Sequence, residues 1–307
     1  MKQTDHDLVI IGGGPAGLTA GLYAARSRLN VILVEKIVPG GQVLITDWIE
    51  NYPGFTGISG PDLIEKMVEQ TKQFDLAIES NEVLSMDLTG DSKKLQLYDR
   101  EITTKSIVIA TGASPRALDI GEDRFVGRGL SYCATCDAPF FKDKVVVAVG
   151  GGDTAIQESI YLTKFVKKVY VVHRRDELRA AKILQERAFE NDKIEFVWNS
   201  VLTSIDGESG VESVRIKNVK TGEEKNMASD GCFIWIGILP NIGFVGAGLA
   251  LDDAGFIVTD DHMQTSVPGV FAAGDIRNTP LRQIATAVGD GAIAAMSAEH
   301  YIENIKK

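Results

Sequence analysis

Short β-branched apolar runs alternate along this chain with longer stretches whose apolar residues recur at helical spacing. Val9-Ile10-Ile11 is the first such run, and it stops at glycines. An Ala-rich, helix-like stretch then continues to Arg26, and a second apolar strand follows from Val31 to Val34. The same order returns later: Val145 to Val149, a glycine turn, a helix-like stretch to about Phe165, and Val169 to Val172. Strand, turn, helix and strand, written twice, predict an α/β chain built on two Rossmann-like units.

The remaining pattern fills in around those units. Pro61 to Phe74 reads as a helix with Leu63, Ile64, Met67 and Val68 on one side. Residues 77–105 read as short strands with a turn at Thr89-Gly90, and Ser106 to Ala110 as an apolar strand ending in Thr111-Gly112. Ile194 to Val219 gives further strands, with a turn at Thr221-Gly222, and Cys232 to Leu239 gives another, ending at Pro240. Arg282 to Met296 is again helix-like. Pro115 and Pro240 stand at matching places and read as hinges. The expected organisation is therefore a discontinuous first domain, residues 1–115 and 243–307, with a second domain, residues 116–242, inserted into it. The length of 307 residues suits two domains at about 150 residues each.

Composition narrows the function classes. Hydrophobic residues make up 44% and charged residues 24%, enough apolar surface for sizeable cores. The formal net charge of −10 argues against nucleic-acid and membrane-surface binding. Leu8 to Ala25 is uncharged, but Gly12-Gly13-Gly14-Pro15 interrupts it, and Asp5 and Asp7 sit where a signal peptide needs positive charge. A cytoplasmic protein is expected. Three cysteines are too few for a disulfide scaffold and fit a reducing compartment.

The two glycine turns carry chemistry. The first reads Gly12-x-Gly14-x-x-Gly17 and the second Gly150-x-Gly152-x-x-Ala155. In such a turn the first glycine permits the bend, and the second lets the backbone approach a pyrophosphate. The third position packs helix on strand, and the phosphate sits at the helix N-terminus. One glycine motif alone is a weak signal; two in full context are a strong one. Glu35 and His173 fall at the same distance from Gly12 and Gly150, at the tips of the second strands. Glu35 suits ribose hydroxyls. His173-Arg174-Arg175, with Arg179 following, suits a 2′-phosphate. The first unit is therefore expected to hold FAD and the second NADPH.

Cys133-Ala134-Thr135-Cys136 can cycle between dithiol and disulfide. Zinc binding would need four ligands, and one pair without a flanking His does not supply them, so no metal is expected. A buried structural pair is the other alternative to redox work. Cys232, in an apolar strand, reads as core. Asp137 could shuttle a thiol proton or simply lead the turn into Pro139.

Taken together, these residues identify a resemblance. The FAD-type glycine motif is followed by Gly40-Gly41-Gln42, Ala110-Thr111-Gly112, Cys133-Ala134-Thr135-Cys136-Asp137, Gly150-Gly151-Gly152-Asp153-Thr154-Ala155, His173-Arg174-Arg175 and Gly274-Asp275. Over essentially the whole chain this resembles the low-molecular-weight, bacterial-type thioredoxin reductases. The resemblance implies that Gly12, Gly14, Ala16, Gly17 and Glu35 hold the adenine end of FAD. It puts Gly41, Gln42, Asn51, Thr111 and Gly112 toward the flavin, and Gly274 and Asp275 at the ribityl chain. Arg282, Gln283 and Ile284 would set a helix N-terminus at the flavin pyrimidine. Gly152, Asp153, Thr154 and Ala155 would meet the NADPH pyrophosphate, and His173, Arg174, Arg175 and Arg179 the 2′-phosphate end. Cys136 would lie nearest the flavin, Cys133 would attack the partner disulfide, and Asp137 would be the acid/base. Gly127-Arg128-Gly129 and Phe140-Phe141 lie where the family docks thioredoxin. Ala138 and Leu281 depart from the family's usual Gly and Tyr.

The expected activity is NADPH-driven reduction of thioredoxin through FAD and the Cys133–Cys136 pair, in a homodimer. Because the nicotinamide and the cysteines belong to one inserted domain and serve one flavin, that domain is expected to rotate. The alternatives are a same-fold reductase for a glutaredoxin-like or peroxiredoxin-linked partner, and a ferredoxin-fed dithiol/disulfide flavoenzyme. Peroxide-reductase flavoproteins of the first kind would carry an extra N-terminal thioredoxin-like domain, for which 307 residues leave no room, and the second would lack the arginine cluster. A noncatalytic redox sensor is the alternative from another class.

Overall fold

The structure, a computed structural model, describes residues 4–305 apart from 47, 91 and 247, with the side chains of residues 135 and 136 also outside the description. The chain divides into two compact units, one formed by Met1–Ser114 and Leu239–Lys307, the other by Pro115–Ile238.

In the first unit, strand His6–Ile11 lies between Val31–Glu35 and Glu101–Ile109, all parallel. Ala77–Ser80 extends the sheet beyond Val31–Glu35. Val270–Ala272, reached only after the inserted unit, pairs in parallel with Glu101–Ile109. Strands buried on both faces explain the near-continuous apolar runs at Leu8–Ile11 and Ile107–Ile109. Helix Pro15–Arg26 packs closely on the long C-terminal helix Ile284–Ile305, because both present alanines and glycines there. Gly291 is one such contact: a Cβ on it would stand 2.2 Å from the carbonyl of Ala16. Helix Gly60–Lys72 is capped by Ser59, whose hydroxyl accepts the Asp62 N–H at 3.1 Å.

The second unit repeats the scheme with five parallel strands. Their order is Ile194–Val197, Lys168–Val172, Val145–Gly150, Gly231–Trp235 and Leu130–Ser131. Helix Asp153–Leu162 follows its glycine turn. Strands Ser200–Asp206, Ser213–Asn218 and Glu224–Ala228 form a separate antiparallel sheet.

The elements differ from the sequence expectation mainly at their ends. The apolar run Cys232–Leu239 is two strands, Gly231–Trp235 and Ile238–Pro240, broken at Gly237, whose φ is +128°. The last helix starts at Ile284 rather than Arg282 and continues to Ile305. The chain returns to the first unit at Leu239, before the expected boundary after residue 242. The reason lies at Asn241. Its side-chain amide donates to the Thr111 carbonyl at 2.9 Å, and the Ser114 hydroxyl donates to Asn241 Oδ1 at 2.7 Å, so the segment is bound into the first unit.

Candidate functional site

Each unit brings its expected residues to the C-terminal ends of its parallel strands, where open α/β sheets bind ligands. In the first unit, Gly12 has φ +102°, and a Cβ there would lie 2.5 Å from the Ala110 carbonyl. A Cβ on Gly17 would lie 1.8 Å from the Gly12 carbonyl, which is why only glycine serves at that point. Gly14 differs: nothing stands within 4 Å of its would-be Cβ. It caps helix Pro15–Arg26 without a side-chain hydrogen bond, so the first helical N–H groups face an open cradle. Glu35 reaches this turn, with Oε2 accepting the Gly13 N–H at 2.7 Å and Oε1 that of Ile37 at 3.1 Å. An uncapped helix start, an open glycine and a fixed carboxylate fit the pyrophosphate and ribose of a dinucleotide.

The neighbouring segments gather on the same turn. Gly40 donates to the Gly13 carbonyl at 2.8 Å, which brings Gly41 alongside Gly14. Gln42 Nε2 donates to the Ala113 carbonyl at 3.2 Å. The Thr111 hydroxyl donates to the Asn241 carbonyl at 2.9 Å, so its side chain ties down the returning segment. Gly112 has φ +64° and accepts the Asn241 N–H. Asn51 Nδ2 donates to Gln283 Oε1 at 2.8 Å, joining two expected flavin-side residues just ahead of helix Ile284–Ile305. Ala16 is buried, with its Cβ 3.0 Å from where one would stand on Gly274. Burial pushes the Asp275 carboxyl above its ordinary range; Arg282 opposes this and Asp290 adds to it.

In the second unit, the cradle at Gly152 is likewise free of protein atoms within 4 Å of a would-be Cβ. Asp153 opens the helix, and its Oδ1 accepts the Ala181 N–H at 2.6 Å, fastening the following loop. Thr154 is exposed, whereas Ala155 is buried as helix-to-strand packing requires. Arg174, Arg175 and Arg179 are exposed and form no ion pair among the described residues, whereas nearby Asp176 pairs with Lys220 at 2.6 Å.

His173 parts from these arginines. Its ring is 96% buried against Gly151, where a Cβ would stand 2.4 Å from the imidazole. Among the described residues its Nε2 has no hydrogen-bond partner. Burial holds the imidazole below its ordinary pKa; a backbone hydrogen bond at Glu177 opposes this, and the three arginines reinforce it.

Cys133 is disulfide-bonded and precedes the short helix Ala134–Asp137, while the Cys136 side chain lies outside the described residues. Ser131 clamps Cys133 from both sides, its Oγ accepting the Cys133 N–H and donating to the Cys133 carbonyl, each at 3.0 Å. Asp137 ends that helix, its N–H 3.3 Å from the Cys133 carbonyl. Cys232 is free and fully buried, and burial pushes its thiol far up. Of the expected docking residues, Phe140 is 74% exposed, but Phe141 is buried edge-on against Phe233 at 5.2 Å. Phe141 therefore belongs to the core, which corrects its expected place beside Phe140 on a docking surface. Gly127 and Arg128 are exposed.

Two residues were missed by sequence reasoning. Asp290 accepts the Gly274 N–H at 3.1 Å and faces Arg277 at 3.5 Å. Glu158 accepts the Ala134 N–H at 3.2 Å. Neither sits in a motif, and both meet their partners only through tertiary packing. Among the described residues no cluster of His, Cys, Asp and Glu could hold a metal ion, and no helix is long and apolar enough to cross a membrane.

Comparison with known proteins agrees with this geometry. The family model for pyridine nucleotide-disulphide oxidoreductases matches residues 6–291. Thioredoxin reductase of Peptoclostridium acidaminophilum is 49% identical, over 97% of both chains. That of Bacillus subtilis is 45% identical, over 100% of this chain and 98% of the relative. The crystal structure of Lactococcus lactis thioredoxin reductase superposes with a TM-score of 0.96 at 48% identity, covering 98% of this chain and 100% of that one. The chain belongs to the pyridine nucleotide-disulphide oxidoreductase family and, within it, to the bacterial-type thioredoxin reductases.

Proposed function

We propose that this chain is an FAD-containing enzyme that uses NADPH to reduce the disulfide of thioredoxin. The observation that carries the reading is the disulfide-bonded Cys133 in the same unit as an open glycine cradle and three exposed arginines. Those arginines also disfavour a ferredoxin-fed enzyme, which has no 2′-phosphate to bind.

In this reading the first unit is the FAD domain and the second the NADPH domain. Gly12, Gly14 and Gly17 let the first helix start accept a pyrophosphate, and Glu35 holds the ribose. Asp275 and the segment Arg282–Ile284 face the flavin end. Gly152 opens the second helix start, and Arg174, Arg175 and Arg179 clamp the 2′-phosphate. His173 supports the turn from beneath through Gly151. When bound, the two cofactors supply the electrons that open the enzyme's disulfide.

The chain's own residues then do thiol chemistry. Cys133, as thiolate, attacks one sulfur of the partner disulfide. A mixed disulfide forms, and the partner's other sulfur leaves and takes a proton, for which Asp137 is the donor in this reading. Cys136 resolves the mixed disulfide, releasing dithiol thioredoxin and restoring the enzyme disulfide. Exposed Phe140 offers the partner an apolar contact close to the pair. A cytoplasmic homodimer completes the reading, on the family likeness.

Trapping tests it. A Cys136→Ser variant incubated with oxidised thioredoxin should accumulate a mixed disulfide mapped by mass spectrometry to Cys133. An adduct on Cys232, or none, would refute the reading.

A further inference from the structure

The second unit's nucleotide-motif helix, Asp153–Leu162, does more than open a phosphate cradle. Six residues past the cradle glycine Gly152 it carries Glu158, half-buried, whose Oε2 accepts the N–H of Ala134 at 3.2 Å. Ala134 is the first residue of the short helix Ala134–Asp137 and follows Cys133 directly. It is fully buried, so its amide has no water to turn to in place of Glu158. Ser131 Oγ already holds the Cys133 N–H and carbonyl. Three consecutive polar groups around the Cys133 backbone are thus fixed, two by Ser131 and the third by a carboxylate from another helix.

We propose that Glu158 is the positioning residue of the redox loop, gripping the Ala134 amide and so tying Cys133 to the helix that opens the nucleotide cradle. This rests on the reading of Cys133 as the reactive thiol. Two consequences follow from the geometry. The grip sets where the Cys133 side chain can point, because the backbone on both sides of its Cα is held. The carboxylate oxygen 3.2 Å from the Ala134 nitrogen also puts negative charge beside the residue that follows Cys133, and such a charge disfavours a Cys133 thiolate. Glu158 therefore holds the backbone next to Cys133 in place and moderates the acidity of its thiol. Asp137, the carboxylate on the short helix itself, and Asp153, at the start of the helix that carries Glu158, are unchanged in every variant compared.

The test uses the flavin-loaded chain in a Cys136→Ser background, where Cys133 is the one accessible thiol because Cys232 is fully buried. The pH dependence of Cys133 alkylation by iodoacetamide is compared in the background alone and with Glu158→Gln. Glutamine keeps an acceptor for Ala134 and removes the charge. The alkylation midpoint should fall by about half a pH unit or more. Separately, deuterium exchange resolved to the Ala134 amide should accelerate at least about tenfold in Glu158→Ala and stay protected in Glu158→Gln. A merely structural Glu158 would leave the alkylation midpoint where it was. An unchanged midpoint in Glu158→Gln, or unchanged exchange at Ala134 in a folded Glu158→Ala, overturns the proposal. Should Glu158→Ala fail to fold, the glutamine variant decides alone. Neither readout uses thioredoxin or NADPH, so failure to reduce thioredoxin would overturn the functional reading separately.

Discussion

Gly14→Ala should separate the fold of the first unit from its ligand chemistry. Gly14 has φ −71° and ψ −177°, which any L-residue adopts without strain. No protein atom lies within 4 Å of the new methyl. Alanine is a poorer helix cap than glycine by about 1 kcal/mol, and stiffening the unfolded chain returns about 0.4–1 kcal/mol. The two nearly cancel, so the stability of the cofactor-free protein should change by less than about 1 kcal/mol. The binding side differs. The methyl fills the cradle through which a pyrophosphate reaches the uncapped helix N–H groups. Each charge-assisted hydrogen bond lost is worth about 1.5–3 kcal/mol, so FAD affinity should drop about 10- to 10²-fold per bond. Gly17→Ala is the contrasting variant. Its methyl would stand 1.8 Å from the Gly12 carbonyl, a backbone atom that cannot swing aside. Strand and helix must part, at about 3 kcal/mol or more. The assay is an FAD titration of flavin-stripped protein by fluorescence quenching, beside denaturant unfolding of the same samples. Undiminished FAD affinity in Gly14→Ala, or an unfolding midpoint lowered as far as in Gly17→Ala, would refute the reasoning.

Other expectations are as direct. Cys133→Ser should abolish thioredoxin reduction and leave FAD bound, read by flavin absorbance and NADPH consumption; near wild-type turnover would remove Cys133 from the mechanism. Replacing Arg174 and Arg175 together with Ala should raise the NADPH KM about 10²-fold, since two charge-assisted contacts are lost and both side chains are exposed and screened. The NADH KM should barely move, and an equal effect on both nucleotides would assign the arginines to stability. His173 titrates below its ordinary pKa in the folded chain because it is buried, so the unfolded chain binds its proton first. The folded chain should therefore lose stability as pH falls below about 6.5, the unfolded value, and continue losing it down to the depressed folded value. His173→Asn should flatten that part of a stability-against-pH curve, and an unchanged slope would mean the proton goes elsewhere.

Much of the fold was legible because its information is local. Val9–Ile11 and Val145–Val149 are largely β-branched runs that end at glycines; Gly12 is demanded by its own φ of +102°, and Gly17 by the Gly12 carbonyl five residues back. The insertion could be read from the second copy of the pattern. What escaped the sequence depends on partners distant along the chain. The boundary near residue 242 shifted to Leu239 because Asn241 bonds Thr111 and Ser114. Phe140 and Phe141 are adjacent and alike, yet only packing against Phe233 decides that the second is buried. His173 matched Glu35 in position, but its ring lies beneath Gly151 whereas the Glu35 carboxylate binds the Gly13 amide. Glu158 and Asp290 look like ordinary helical acids until their backbone partners are seen.

The most direct test of the central claim is a stoichiometric turnover assay with purified enzyme, NADPH and oxidised thioredoxin, counting thioredoxin thiols against NADPH consumed. The account predicts two thiols per NADPH, far slower turnover with NADH, and none with Cys133→Ser. NADPH consumption that yields no thioredoxin thiols, or thiols that still appear with Cys133→Ser, would contradict it.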